Sequence, residues 1–132
     1  MGGLPPRPRE NPHPLKGILA SFGFALEGLR YAWREQRNLR VQGLLALLAL
    51  GLTFWLRVDP VPILLASGLV LSLELVNTAL EALTDLAAPT YHPLAKRAKD
   101  TAAASVLLAS LFALLVGLFH LLPPLLRRLG LS

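Results

Sequence analysis

The chain has 132 residues, 54% of them hydrophobic, 16% charged and 7% aromatic, with a mean hydropathy of +0.54. One domain fits that length, but a soluble domain carries about 25% charged residues, and a disordered chain lacks this much apolar surface. Without cysteine there is no disulfide framework, thiolate metal site or Cys nucleophile, and the +5 net charge shows no basic stripe with interleaved aromatics that would bind nucleic acid.

Residues 1–14 contain five prolines and two glycines and no apolar core before a cleavage site, so they read as a disordered cytoplasmic leader rather than a signal peptide. A membrane domain is expected over 15–132. Its first element, LKGILASFGFALEGLRYAWR from Leu15, repeats Leu15, Ile18, Leu19, Phe22, Leu26, Leu29 and Trp33 at three- and four-residue steps. That is one apolar helical face, but Lys16, Glu27, Arg30 and Arg34 interrupt the run. An amphipathic surface helix over 15–38 is expected, with Trp33 near the headgroups.

Three apolar spans follow, at about 40–56, 61–87 and 101–122, the last stopping at Pro123-Pro124. The uncharged stretch of the first, from Val41 to Leu56, reaches only about 24 Å at 1.5 Å per residue. Its flanking arginines must snorkel, or its helix must start a turn earlier. The expected fold is all-α and membrane-integral, a surface helix plus three transmembrane helices. Seven Lys and Arg precede the first span, one follows it, three lie between the second and third, and two close the chain. The positive-inside rule then puts the N-terminus and the second loop in the cytoplasm. Ser105, Ala109, Ala113 and Gly117 form a small-residue stripe that suits packing within the chain or between subunits.

The second span carries Glu74, Asn77, Glu81 and Asp85. At 100° per residue they fall within an arc of about 80°, one polar stripe on an apolar helix. A carboxylate inside a membrane costs roughly 2.5–3.5 kcal/mol and marks function by default. Below it, His92-Pro93 reads as a helix start, Lys96 and Lys99 share a face, and Lys96 can pair with Asp100. Carboxylates that hold Mg²⁺ beside lysines that hold phosphate are parts of phosphoryl transfer. Two rival readings are a non-catalytic helical assembly subunit, which leaves Glu74 unexplained, and a proton or ion conductor, which has no need of Tyr91, Lys96 and Lys99.

ELVNTALEALTDL (Glu74 to Leu86) followed by YHPLAKRAKD (Tyr91 to Asp100) closely resembles the signature of the prokaryotic diacylglycerol kinase and undecaprenol kinase family. The upstream GLRYAW and RNLRVQG strings resemble it too, so the likeness covers roughly residues 15–122. It implies a homotrimeric inner-membrane enzyme that moves the γ-phosphate of MgATP onto the hydroxyl of diacylglycerol or undecaprenol. By the same resemblance, Glu74 is the catalytic base and Glu81 a Mg²⁺ ligand. Asn77 is the polar partner of the base, and Arg30 and Trp33 join it on the lipid side. Tyr91, His92, Lys99 and Asp100, with Gln36 and Glu81, make the ATP site. One position departs: the family usually has an acidic second metal ligand immediately before the Arg-Asn pair, and here it is Gln36, with Glu35 one step earlier. The second ligand is then Glu35 or Gln36, and a small rotation of the helix end would let Glu35 take over.

Overall fold

The computed structural model describes residues 14–131, and the expected leader lies, except for its last residue, outside the described residues. Four helices follow one another, and no strand occurs among the described residues. The chain forms two units, one ending at Tyr31 and one beginning at Ala32. In the first, helix α1 (Pro14–Glu35) keeps Ile18, Leu19, Phe22, Leu26 and Leu29 exposed along one face. Exposure of so large an apolar stripe is what an interfacial helix presents to lipid.

The second unit begins with the last turn of α1. The expected surface helix over 15–38 ends earlier, at Glu35, because Gln36 is extended (φ −100°, ψ 107°) and α2 (Arg37–Leu56) starts beyond it. Arg40 holds this break. Its guanidinium donates to the carbonyls of Trp33 at 2.7 Å and Arg34 at 2.8 Å, oxygens that the end of α1 leaves without helical partners. The Gln36 N–H donates to the Ala32 carbonyl at 2.8 Å. Arg37 and Asn38 therefore belong to α2, whose 20 residues reach about 30 Å and match a hydrocarbon core. The helix starts a turn earlier than its uncharged stretch.

Helices α3 (Val61–Ala87) and α4 (Pro93–Arg128) are also long and apolar enough to cross a membrane. α3 packs most extensively on α4 and next on α2. At one end the seam is apolar, with Leu56, Ile63 and Leu121 buried together and Leu52, Val116 and Leu125 packed on them. The small stripe faces this interior: Ala109 is buried, and Ala113 and Gly117 line a cavity between α2, α3 and α4.

Pro123-Pro124 does not end α4, which runs on to Arg128. Two prolines remove two helical donors, but contacts hold the last turn. Leu125 packs on the Leu56 cluster, and the Arg128 guanidinium lies 4.5 Å from the centre of the Trp55 ring. α4 also begins earlier than the apolar span at 101. His92 is its N-cap, accepting at Nδ1 from the Leu94 N–H at 3.2 Å, and Pro93 occupies the first turn.

Between α2 and α3 the chain turns on Arg57, which adopts the left-handed conformation (φ 57°, ψ 42°). Its N–H bonds the Phe54 carbonyl and that of Val58 bonds Thr53, closing the helix end. A side chain in that conformation costs roughly 1–2 kcal/mol, which glycine avoids at some entropic cost. Arg57→Gly is therefore expected to raise stability by about 0.5–1 kcal/mol, and Arg57→Val to lower it. Thermal denaturation of the three proteins in one detergent checks the order.

Candidate active site

Helix α3 supplies the polar stripe, and its neighbours decide how each group is met. Glu74 is 2% exposed, and Asn77 and Thr78 are buried with it. Glu81, two turns on, is half-buried, and Asp85 is exposed. The stripe thus runs from the interior of the bundle to its surface along about 16 Å of helix. The Thr78 hydroxyl donates to the Glu74 carbonyl at 2.8 Å, so its polar atom is satisfied on its own helix. Across the seam, Gln42 of α2 lies beside the Glu74 carboxyl.

Glu81 is held from two sides. Asn77 Nδ2 donates to its Oε1 and Gln36 Nε2 to its Oε2, both at 3.1 Å. An ionised carboxylate only accepts, so the amide atom facing it is the NH₂ in each case. That orientation leaves the Asn77 Oδ1 buried without a partner among the described residues, and the Gln42 Oε1 likewise. The Glu81 carboxylate and the amides of Gln36 and Asn77 therefore meet where the α1–α2 break touches α3.

One turn beyond Glu81, the stripe opens into a polar cleft of about 440 Å³. Thr84 and Asp85 of α3 form one wall, Pro89 to His92 the floor, and Lys96, Lys99 and Asp100 of α4 the other wall. Thr84 joins cleft to cluster, because its hydroxyl donates to the Glu81 carbonyl at 2.9 Å. The Lys99 ammonium is paired with Asp85 across the helices, and Lys96 with Asp100 on one helix face. The second pairing follows from the i,i+4 spacing; the first needs the fold.

The sequence candidates separate accordingly. Asn77, Glu81 and Gln36 come together, Glu74 is buried earlier on the same helix face, and Tyr91, His92, Lys99 and Asp100 line the adjoining cleft. Trp33 packs its ring on Gly43, where an added Cβ would stand 3.2 Å from it. Glu35 is exposed on the last turn of α1, and Gln36 is the residue that reaches Glu81. Arg30 is exposed in the first unit. Sequence reading passed over Gln42. Its signal was available: it is the sole side-chain amide in the otherwise apolar run from Val41 to Leu52.

Mg²⁺ takes oxygen ligands, commonly one or two carboxylates with phosphates and waters completing an octahedron. Among the described residues no three acidic, His or Cys side chains converge as a metal-binding group. The Glu81 carboxylate and the unpaired Asn77 carbonyl oxygen do fit a partial shell, one that phosphate oxygens would complete.

Fold and site together define an all-helical membrane protein with a buried carboxylate, an amide-held second carboxylate and a lysine-bearing cleft along one helix face. A sequence profile described as prokaryotic diacylglycerol kinase matches residues 23–121, and the chain belongs to that family. It is 45% identical over 113 residues to a diacylglycerol kinase of Synechocystis sp., covering 83% of this chain and 65% of that relative's length. The diacylglycerol kinase of Escherichia coli K12 is 39% identical over 101 residues, 74% of this chain and 83% of that one. The undecaprenol kinase of Bacillus subtilis is 33% identical over 120 residues, 89% and 98% of the two chains. The resemblance in the ELVNTALEALTDL and YHPLAKRAKD strings, and the lipid-kinase class it implied, are borne out.

Removing the Asp85 carboxylate tests how cleft and cluster depend on each other. Asp85→Asn frees Lys99 from its one ion-pair partner in the structure while leaving Glu81 and its two amides intact. An exposed pair contributes about 0–1 kcal/mol, so thermal stability should change little. Lys99 should become more reactive toward an amine-modifying reagent, measured by mass spectrometry.

Proposed function

We propose that this chain transfers the γ-phosphate of MgATP to the hydroxyl of a membrane lipid, diacylglycerol or undecaprenol. The observation that carries this reading is one helix face that bears buried Glu74, then the Asn77–Glu81 pair, and then Asp85 at the cleft where it meets Lys99. A carboxylate at that depth suits an acceptor whose hydroxyl reaches the membrane boundary while its tails stay in hydrocarbon. The cleft suits a water-soluble phosphate donor. Ten basic residues flanking the helices on one side, against three on the other, favour the cytoplasm for the N-terminus, the cleft and therefore the nucleotide. The family resemblance further supports a homotrimer in the inner membrane.

In this reading Glu74 accepts the proton of the lipid hydroxyl as its oxygen attacks phosphorus in line. General-base work requires hydrogen-bond reach first. Gln42 stands beside the carboxyl on the α2 side, and Thr78 keeps its own hydroxyl on the backbone, away from the base. Lys99 exchanges Asp85 for phosphate oxygens when nucleotide enters the cleft, neutralising charge on the transferring group. Glu81 and Asn77 would hold Mg²⁺, which when bound with ATP offsets the charge on the phosphates. Tyr91, His92 and Asp100 line the cleft around the nucleotide. The non-catalytic and ion-conducting alternatives leave the lysine cleft without a task.

Purified protein with labelled ATP and each lipid in micelles tests the reading, and labelled lipid is the expected result. Glu74→Gln should lower lipid phosphorylation about 10²–10⁴-fold while keeping helical content, since a base is lost and an intramembrane charge removed. Lys99→Ala should raise the KM for ATP and leave the KM for lipid unchanged. Steady-state kinetics with each substrate varied in turn reads both.

A further inference from the structure

The cluster around Glu81 has an unusual charge balance for a site that works with a divalent cation. Its one carboxylate already accepts two hydrogen bonds, from Gln36 Nε2 and from Asn77 Nδ2, each at 3.1 Å. A carboxylate offers about four lone-pair positions, so two remain. Glu74 lies seven residues earlier on α3 with Gln42 beside it, and Glu35 is exposed on α1. A second carboxylate at position 36 would face Glu81 across the same short gap, and two like charges there would call for a cation between them. Gln36 does the opposite. Its neutral amide donates to Glu81 directly, so no second charge there calls for a cation.

We propose that Gln36 makes metal binding in this chain conditional on nucleotide: the protein takes up a divalent cation as part of the metal–nucleotide complex, and holds none on its own. One carboxylate carries a single negative charge against the two positive charges of the ion, and dehydrating Mg²⁺ is costly. The phosphate oxygens of a nucleotide bring the missing charge and ligands. Glu81 then adds its free lone pairs, Asn77 its buried Oδ1, and Gln36 keeps the Glu81 carboxylate aimed. Gln36 is thereby a positioning residue. The backbone supports that role, since Gln36 is the extended residue between two helices and its N–H is tied to Ala32.

The inference rests on reading the cluster and its cleft as a kinase site, and the test separates the two. Full-length protein in detergent micelles is titrated with Mn²⁺, followed by electron paramagnetic resonance, with and without a non-hydrolysable ATP analogue. The analogue is titrated separately by calorimetry. The wild-type chain should show saturable Mn²⁺ binding only when the analogue is present. Gln36→Glu should bind Mn²⁺ without nucleotide, at least tenfold more tightly than wild type. Glu35→Ala should match wild type in both conditions. If wild-type protein binds Mn²⁺ equally well with and without the analogue, the proposal is overturned while the kinase reading stands. A wild-type site that binds Mn²⁺ alone and loses it in Glu35→Ala would overturn it too, naming Glu35 as the second carboxylate. Failure of the analogue to bind at all would sink the kinase reading and this inference with it. The wild-type comparison needs no variant to fold, and Mn²⁺ occupancy is a readout that lost packing alone would not make nucleotide-dependent.

Discussion

Everything in this bundle is arranged around one costly placement, the Glu74 carboxylate inside a helix that is otherwise apolar. A group of that kind in hydrocarbon must be shielded from lipid and given polar company. The fold provides both by packing the α3 face that carries it into the seam with α2 and α4. The remaining surface is apolar, with Leu44, Leu47, Leu65, Leu69, Leu107 and Phe112 exposed. The same economy explains why the polar company is amide rather than charge. Gln36 and Asn77 hold the Glu81 carboxylate, and Gln42 stands beside Glu74, without adding ions to a low-dielectric region, where each extra unpaired charge would need its own compensation.

Depth sorts the chemistry. Along α3 the groups pass from buried Glu74, through half-buried Glu81, to exposed Asp85, and the ionic pairs occur only at the exposed end. Lys99 is therefore restrained by a partner that water also solvates, which is the cheap kind of restraint to release. α4 joins this wet end to the dry one. Its first two turns carry the lysines of the cleft, and its middle carries Ala102, Val106 and Ala109, which are buried.

Much of this was legible in the sequence because it depends on spacing along a single helix. The offsets of Glu74, Asn77, Glu81 and Asp85 fix their common face, and the paired strings at 74–86 and 91–100 fix the family. Lys96 with Asp100, and His92-Pro93 as a helix start, are equally local. Contacts between helices were not legible. Nothing in the spacing says that Lys99 meets Asp85, fourteen residues away, or that Gln42 faces Glu74. Element ends went astray where tertiary contacts override local signals. Arg40 ends α1 from the next helix, and Leu125 with Arg128 keeps α4 wound past two prolines. The choice between Glu35 and Gln36 as the neighbour of Glu81 turned on backbone geometry, because the extended conformation at 36 redirects its side chain.

The joint between α1 and α2 is one residue long, and that leaves the chain no slack. A loop of several residues absorbs an insertion by bulging; a one-residue joint passes it on as rotation, about 100° for each residue added or removed. Trp33 on one side must keep its phase with Gly43 on the other, and Gln36 must keep its phase with Glu81. Arg40 reaches back to the Trp33 and Arg34 carbonyls only if the count between them is preserved. The eleven positions from Trp33 to Gly43 thus behave as a gauge block, open to exchange of side chains and closed to any change in length.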